Sequence, residues 1–291
     1  NTSVTVNSYG NYNFTWTEDN NYNCTDTDDV EIIFYETPNS NAGNNNTSCG
    51  LSYNLNANPS VGTGTWSGPF GAIFTNINDP NTSVTVNNYG THNFVWEEDN
   101  DGSSYHCVDV DTVEIIFTQS PIANAGLDEN ICGLSYNLNA NPSVGTGTWS
   151  GPIGAVFSNI NDPNTSVTVN SYGNYNFTWT EDNNYNCTDT DDVEIIFYET
   201  PNPNAGLTQT VCGLNVILNA QQPIGNGSWS GNNVNFSNPL SNTSNANSYI
   251  YGNNTFIWTD NNNGCIGIDS VIINFIEIPM SQAGHAPLFF L

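Results

Sequence analysis

Residues 134–140, Leu134-Ser135-Tyr136-Asn137-Leu138-Asn139-Ala140, alternate strictly between apolar and polar side chains. A two-residue period of this kind describes a β-strand with one buried face. Further along, Phe177 and Trp179 alternate with Asn176 and Thr178, Val167 and Val169 flank Thr168, and Val193, Ile195 and Phe197 form another inward row. Pro142, Gly151-Pro152, Asp162-Pro163 and Gly173 punctuate these runs as turns. No long segment spaces its apolar residues for a helix. The pattern predicts an all-β fold: roughly seven short strands in about 80 residues, forming a small antiparallel sandwich with its own core.

That unit recurs. Asn41-Ala42-Gly43 returns as Asn124-Ala125-Gly126, Asn204-Ala205-Gly206 and, altered, Gln282-Ala283-Gly284. Between these landmarks come Cys-Gly, a GTGTWSG or GNGSWSG segment, Tyr-Gly, a Phe-x-Trp pair, an acidic turn, a second cysteine and a closing strand. Residues 1–39 are identical to 164–202, and 50–90 match 133–173 at all but four positions. The expected organisation is therefore a tandem array. Residues 1–40 read as the C-terminal half of a module, 41–123 and 124–203 as whole modules, 204–281 as a diverged one, and 282–291 as the start of a further module. On this reading the chain is a piece of a longer protein.

The chain of 291 residues has 28 acidic residues and no lysine or arginine, for a formal charge of -28. Nothing here can neutralise nucleic-acid phosphates, dock by a basic patch on an anionic membrane, or form a Schiff base. The polarity does not imply disorder, because 37% hydrophobic and 12% aromatic residues suffice for cores.

Each complete module carries two of the seven cysteines: Cys49 and Cys107, Cys132 and Cys187, Cys212 and Cys265. Pairing within modules is expected, leaving only Cys24, whose partner would lie upstream. A rival scheme joins neighbours across module boundaries, Cys24 with Cys49, Cys107 with Cys132 and Cys187 with Cys212, and leaves Cys265 over. Either scheme implies an extracytoplasmic location.

The succession Asn-Ala-Gly, Cys-Gly, GTGTWSG, Tyr-Gly-x-x-x-Phe-x-Trp, acidic turn, Cys and Asp-x-Val-x-Ile resembles the PKD-like and Ig-like repeats of very large cell-surface proteins of Bacteroidetes, among them gliding-motility adhesins of the SprB type. The resemblance covers nearly the whole chain. It implies export by the type IX pathway, attachment at the outer surface, and O-glycosylation at Asp-Ser/Thr-aliphatic sites, here Thr112 and Ser270. Partners would be neighbouring modules of the same chain, self-association into a filament, and a surface glycan or substratum ligand.

Glu181 and Asp182 precede a turn that Asp189, Asp191 and Asp192 follow, so a hairpin would gather them into a candidate calcium site, against the plainer reading of a solvated acidic loop. No cofactor is required by the fold, and calcium is the one candidate. His92, His106 and His285 do not recur between modules, which argues against an enzyme. The tryptophans recur in phase with the apolar face and read as core, two per module. The function expected is a structural repeat segment of an extracellular filament, stalk or adhesin. The alternative is a calcium- or carbohydrate-binding module acting through its acidic loops or exposed aromatics.

Overall fold

The computed structural model describes residues 2–102 and 107–281. Among them are strands and turns and no helix. The residues from 282 on, expected to begin a further module, lie outside this range, as do His106 and His285.

A hairpin of β1 (Gly10–Asp19) and β2 (Thr25–Phe34) comes first. The next seven strands are β3 (Asn46–Cys49), β4 (Ser52–Asn54), β5 (Thr63–Ser67), β6 (Ile73–Phe74), β7 (Ser83–Thr85), β8 (Gly90–Asp99) and β9 (Val108–Thr118). They are followed by β10 (Glu129–Cys132), β11 (Ser135–Asn137), β12 (Thr146–Ser150), β13 (Val156–Phe157), β14 (Ser166–Thr168), β15 (Gly173–Asp182) and β16 (Thr188–Tyr198). The last seven are β17 (Gln209–Cys212), β18 (Asn215–Asn219), β19 (Asn226–Gly231), β20 (Val234–Phe236), β21 (Thr243–Ser248), β22 (Gly252–Asn262) and β23 (Cys265–Ile276).

Each set of seven makes a four-stranded sheet, β3-β9-β8-β5, β10-β16-β15-β12 or β17-β23-β22-β19, and a three-stranded sheet, β4-β7-β6, β11-β14-β13 or β18-β21-β20. These are Ig-like sandwiches, with one departure from a purely antiparallel expectation. The first strand of each set pairs parallel with the last, as in Asn46↔Ile115 and Cys49↔Thr118, Cys132↔Tyr198 and Cys212↔Ile276.

By contact density the chain divides into two compact units, Asn1–Ile122 with Val144–Thr146 and Glu181–Asp189, and Ala123–Ser143 with Gly147–Thr180 and Thr190–Leu291. Three separate apolar cores repeat one pattern. The first holds Trp66, Phe94, Trp96, Val113, Ile115 and Phe117; the second holds Trp149, Phe177, Trp179, Val193, Ile195 and Phe197; the third holds Trp229, Phe256, Trp258, Val271, Ile273 and Phe275.

The GTGTWSG and Phe-x-Trp motifs face each other across strands. Trp66 is registered opposite Trp96 with ring centroids 5.1 Å apart, and Trp229 lies opposite Trp258 at 5.1 Å. A Cβ at Gly64, Gly147 or Gly227 would occupy the ring of Trp96, Trp179 or Trp258, and one at Gly68 would sit 2.7 Å from Phe94 Cδ1. The glycines are the space into which the neighbouring aromatics fit. Six tryptophans are core as expected. Trp16 is not: it is 66% exposed where Trp96 and Trp179 are each 1% exposed, because the β1–β2 hairpin has no second sheet over it.

Candidate functional site: the stapled hairpin ends

The Asn-Ala-Gly signature is a local fold that receives a carboxylate. Asn Oδ1 accepts the glycine N–H at 2.9 Å in Asn41–Gly43, 3.0 Å in Asn124–Gly126 and 2.8 Å in Asn204–Gly206. The glycine has φ of 91°, 99° and 95°, a region that disfavours any side chain. The intervening alanine is buried, and its N–H donates to Asp111, Asp191 or Asp269 at 2.8, 2.8 and 2.7 Å. Asp109 adds a second bond, accepting the Ser40 N–H at 2.8 Å. In the diverged module Pro203 replaces Ser40 and has no N–H, and Gly267 replaces Asp109. A Cβ on Gly267 would lie 2.6 Å from Pro203 Cδ.

A second carboxylate is buried at the end of each hairpin. Glu98 accepts the Trp96 Nε1–H at 2.8 Å and the Ser60 N–H at 3.1 Å, and also the Ser60 hydroxyl. Burial raises the Glu98 pKa, but bonds from the Ser60 side chain, Trp96, and the Ser60 and Val61 N–H groups outweigh it and hold the carboxyl below its ordinary value. Glu181 accepts the Val144 N–H at 3.3 Å. Asp260 accepts the Ile224 and Gly225 N–H groups at 2.8 and 3.0 Å.

The five candidate calcium residues have these individual places. Glu181 and Asp191 hold backbone N–H groups as described, and Asp182 Oδ1 accepts the Asn184 N–H at 2.8 Å within the turn. Asp189 is half-buried and Asp192 is exposed on β16. Among the described residues no group of three or more His, Cys, Asp or Glu side chains is placed to hold a metal ion. Thr112 and Ser270 are exposed on central strands β9 and β23, so both hydroxyls face outward. His92 takes the position of Tyr175, with Nε2 3.0 Å from the Asn88 carbonyl oxygen and its ring edge-on to Phe117.

The cysteines depart from both expected schemes. Cys49 is bonded to Cys187 and Cys132 to Cys265, with Cα–Cα distances of 5.6 and 5.5 Å. Neither Cys49–Cys107 nor Cys132–Cys187 forms, and Cys212 is not bonded to Cys265 or Cys187; Cys24, Cys107 and Cys212 are free. The first cysteine of a module, at the end of its parallel edge strand, bonds to the second cysteine of the following module, at the turn of its hairpin. Fold geometry explains why. Cys49 lies at the opposite end of β9 from Cys107, since it pairs with Thr118 while Cys107 precedes Val108. Eleven strand residues separate them, far beyond the reach of a disulfide.

Each staple is accompanied by an asparagine clamp. Asn183 Nδ2 donates to the Gln119 carbonyl at 2.8 Å and to Thr118 Oγ1 at 2.9 Å. Asn262 donates to the Glu199 carbonyl at 2.9 Å, and Asn100, in the turn of the unstapled Cys107, makes the same bond to the Glu36 carbonyl at 2.8 Å. Sequence reading missed these asparagines because asparagine is the commonest residue in the chain. The usable signal was their fixed place in the turn ahead of the second cysteine.

These features define a protein built of tandem Ig-like sandwich modules. No protein-family model and no curated protein matches the sequence. Among solved structures, the chain is similar to a three-domain I-band fragment of titin, at 12% identity over 84% of this chain and 98% of that one, with a TM-score of 0.39. It is also similar to extracellular domains 3–5 of Drosophila OTK, at 10% identity over 83% and 97% of the two chains and a TM-score of 0.39.

Proposed function

We propose that this chain is a load-bearing segment of an extracellular stalk, filament or adhesin. The observation that carries the reading is the pair of staples between successive modules, Cys49–Cys187 and Cys132–Cys265. They close loops with sequence separations of 138 and 133 residues, each worth about 5 kcal/mol in the chain-entropy model. Their mechanical effect is larger than their thermodynamic one. Tension entering at Cys49 passes through the disulfide to Cys187, so residues 50–131 can unfold without lengthening the chain. Disulfides support an oxidising, extracytoplasmic location.

The succession of landmarks supports a narrower reading. The array belongs to a giant surface adhesin of a Gram-negative bacterium, of the Bacteroidetes gliding-motility kind, exported by the type IX pathway and O-glycosylated at Thr112 and Ser270. Its work is structural rather than enzymatic, and its partners are adjoining modules.

Single-molecule stretching tests the load-bearing role. With both staples closed, the shortest covalent path runs from Cys49 across to Cys187, back along the chain to Cys132 and across to Cys265, so about 160 residues are bypassed, about 530–580 Å of extended chain at 3.3–3.6 Å per residue. Reductant should add that length to the final contour. Equal contours with and without reductant would remove the load-bearing reading.

A further inference from the structure

The outward face of the last four-stranded sheet differs from its two counterparts. On β22 and β23 the buried Phe256, Trp258, Val271, Ile273 and Phe275 alternate with outward residues. Isoleucine recurs among the outward ones: Ile257, Ile266, Ile268 and Ile272 are 36%, 55%, 65% and 42% exposed. The equivalent positions hold Thr178, Thr188, Thr190 and Glu194 in the second module, and Val95, Val108, Val110 and Glu114 in the first. Threonine satisfies strand propensity as isoleucine does, so local structure does not demand the change. A solvated antiparallel face ordinarily carries polar residues, and a contiguous apolar patch on one marks a contact surface.

Charge has left the same face. Glu97 and Glu114 stand on it in the first module, and Asp192 and Glu194 in the second; the third has Thr259, Ser270 and Ile272 in those places. Residues 204–281 contain three acids, Asp260, Asp269 and Glu277. Asp260 is buried, and Asp269 is engaged with the Ala205 N–H. Ser270 is registered directly opposite Ile257 and lies between Ile268 and Ile272 along its own strand. All four point to one side of the sheet, so the short serine leaves a depression bounded by three isoleucines.

We propose that this face is a contact surface for the same face of a second copy of this chain. The contact is isologous: under a twofold axis an isoleucine of each copy enters the Ser270 depression of the other, with the two sheets packed face to face. The long β22–β23 pair and its flanking strands, about eleven residues at about 3.3 Å by three strands about 4.8 Å apart, present roughly 500 Å² per copy, and two such faces reach the roughly 1,000 Å² that a specific interface needs. A second copy fits better than a charged partner, because the face offers no charge to pair. The first two modules cannot associate in this way, since carboxylates would meet carboxylates. A following module does not lie over the face either: in the second module Thr188, Thr190 and Asp192 stay exposed although residues 204–281 follow. A glycan on Ser270 would fill the depression and hold the chains apart, so the pairing form is the chain with that hydroxyl free.

Sedimentation equilibrium of the full chain tests this, with Ser270 unmodified and the free Cys24, Cys107 and Cys212 alkylated so that no disulfide joins two copies. The result expected is a reversible dimer in the micromolar range and nothing larger. Ile268→Glu should abolish it, and so should Ser270→Tyr, which fills the depression without adding charge. Both side chains are exposed, so each variant should keep the wild-type melting transition. Thr190→Glu, at the place equivalent to Ile268 in the second module, should dimerise as the wild type does. Raising salt from about 10 mM to about 150 mM shortens the screening length from about 30 Å to about 8 Å and should tighten the dimer, because the acidic modules of the two copies repel. A chain that stays monomeric at millimolar concentration, a dimer that survives Ile268→Glu or Ser270→Tyr, loss of the dimer in Thr190→Glu, or weakening by salt would overturn the proposal.

Discussion

The indole Nε1–H of Trp96 donates to Glu98 Oε1 at 2.8 Å, two residues along the same strand. In the diverged module the corresponding pair is Trp258 and Asp260. Asp260 is one methylene shorter, spends its oxygens on the Ile224 and Gly225 N–H groups, and leaves Trp258 Nε1 buried without a partner among the described residues. An orphaned buried donor costs about 1–3 kcal/mol. Asp260→Glu should restore the bond and stabilise this module by about 1 kcal/mol, raising its melting transition by about 4–8 °C. Calorimetry reads the shift, and an unchanged or lowered transition would show that the longer side chain does not fit.

Glu98 also sets a pH limit. Its folded pKa lies below the ordinary value of 4.5, so the folded state binds its proton less readily than the unfolded chain. The resulting stability is present in full above pH 4.5 and is lost as pH falls through the folded pKa. Melting temperature measured against pH should fall below about pH 4.5, and Glu98→Gln should flatten that part of the curve. A Gln variant that retained the full acid slope would assign it to other carboxylates.

The glycines divide by mechanism. At Gly64 a methyl group would intrude into the Trp96 ring, whereas at Gly50, with φ of 101°, it would meet nothing within 4 Å. Gly64→Ala should cost about 3 kcal/mol by overpacking, and Gly50→Ala about 1 kcal/mol by backbone strain alone. Denaturant titration should rank them in that order; the reverse ranking would contradict the packing account.

Calcium should leave the array unchanged. Glu98, Glu181, Asp191, Asp260 and Asp269 already receive N–H donors, and a cation would have to displace those bonds. The expected result is no rise in melting temperature with added calcium beyond that produced by magnesium at equal ionic strength. A calcium-specific rise would restore a metal site at the Glu181–Asp192 end.

Much of the fold was legible in the chain. The alternation of Leu134 to Ala140, the row Val193, Ile195, Phe197 and the recurring tryptophans all report a periodic apolar face, which local pattern records directly. The cysteine partners were not legible, because translation by one module leaves the cysteine pattern unchanged. Pairing each first cysteine with the second cysteine of its own module or of the next looks the same in one dimension. Both expected schemes leave a single cysteine over, whereas a staple reaching the next module leaves Cys24, Cys107 and Cys212 open in this stretch. What decides the matter is the parallel pairing of β3 with β9, which carries Cys49 away from Cys107. The acidic turn was legible only as a charge cluster, because the Ala42, Ala125 and Ala205 N–H groups that donate to Asp111, Asp191 and Asp269 lie more than sixty residues away in sequence.

The account stands most directly on the partners of the cysteines. Digestion of the oxidised chain without reductant, using chymotrypsin and an acid-residue-specific protease, followed by mass spectrometry, identifies them. Linked peptides containing Cys49 with Cys187 and Cys132 with Cys265 are predicted. Peptides joining Cys49 to Cys107 and Cys132 to Cys187 would contradict the staples and, with them, the load path between modules.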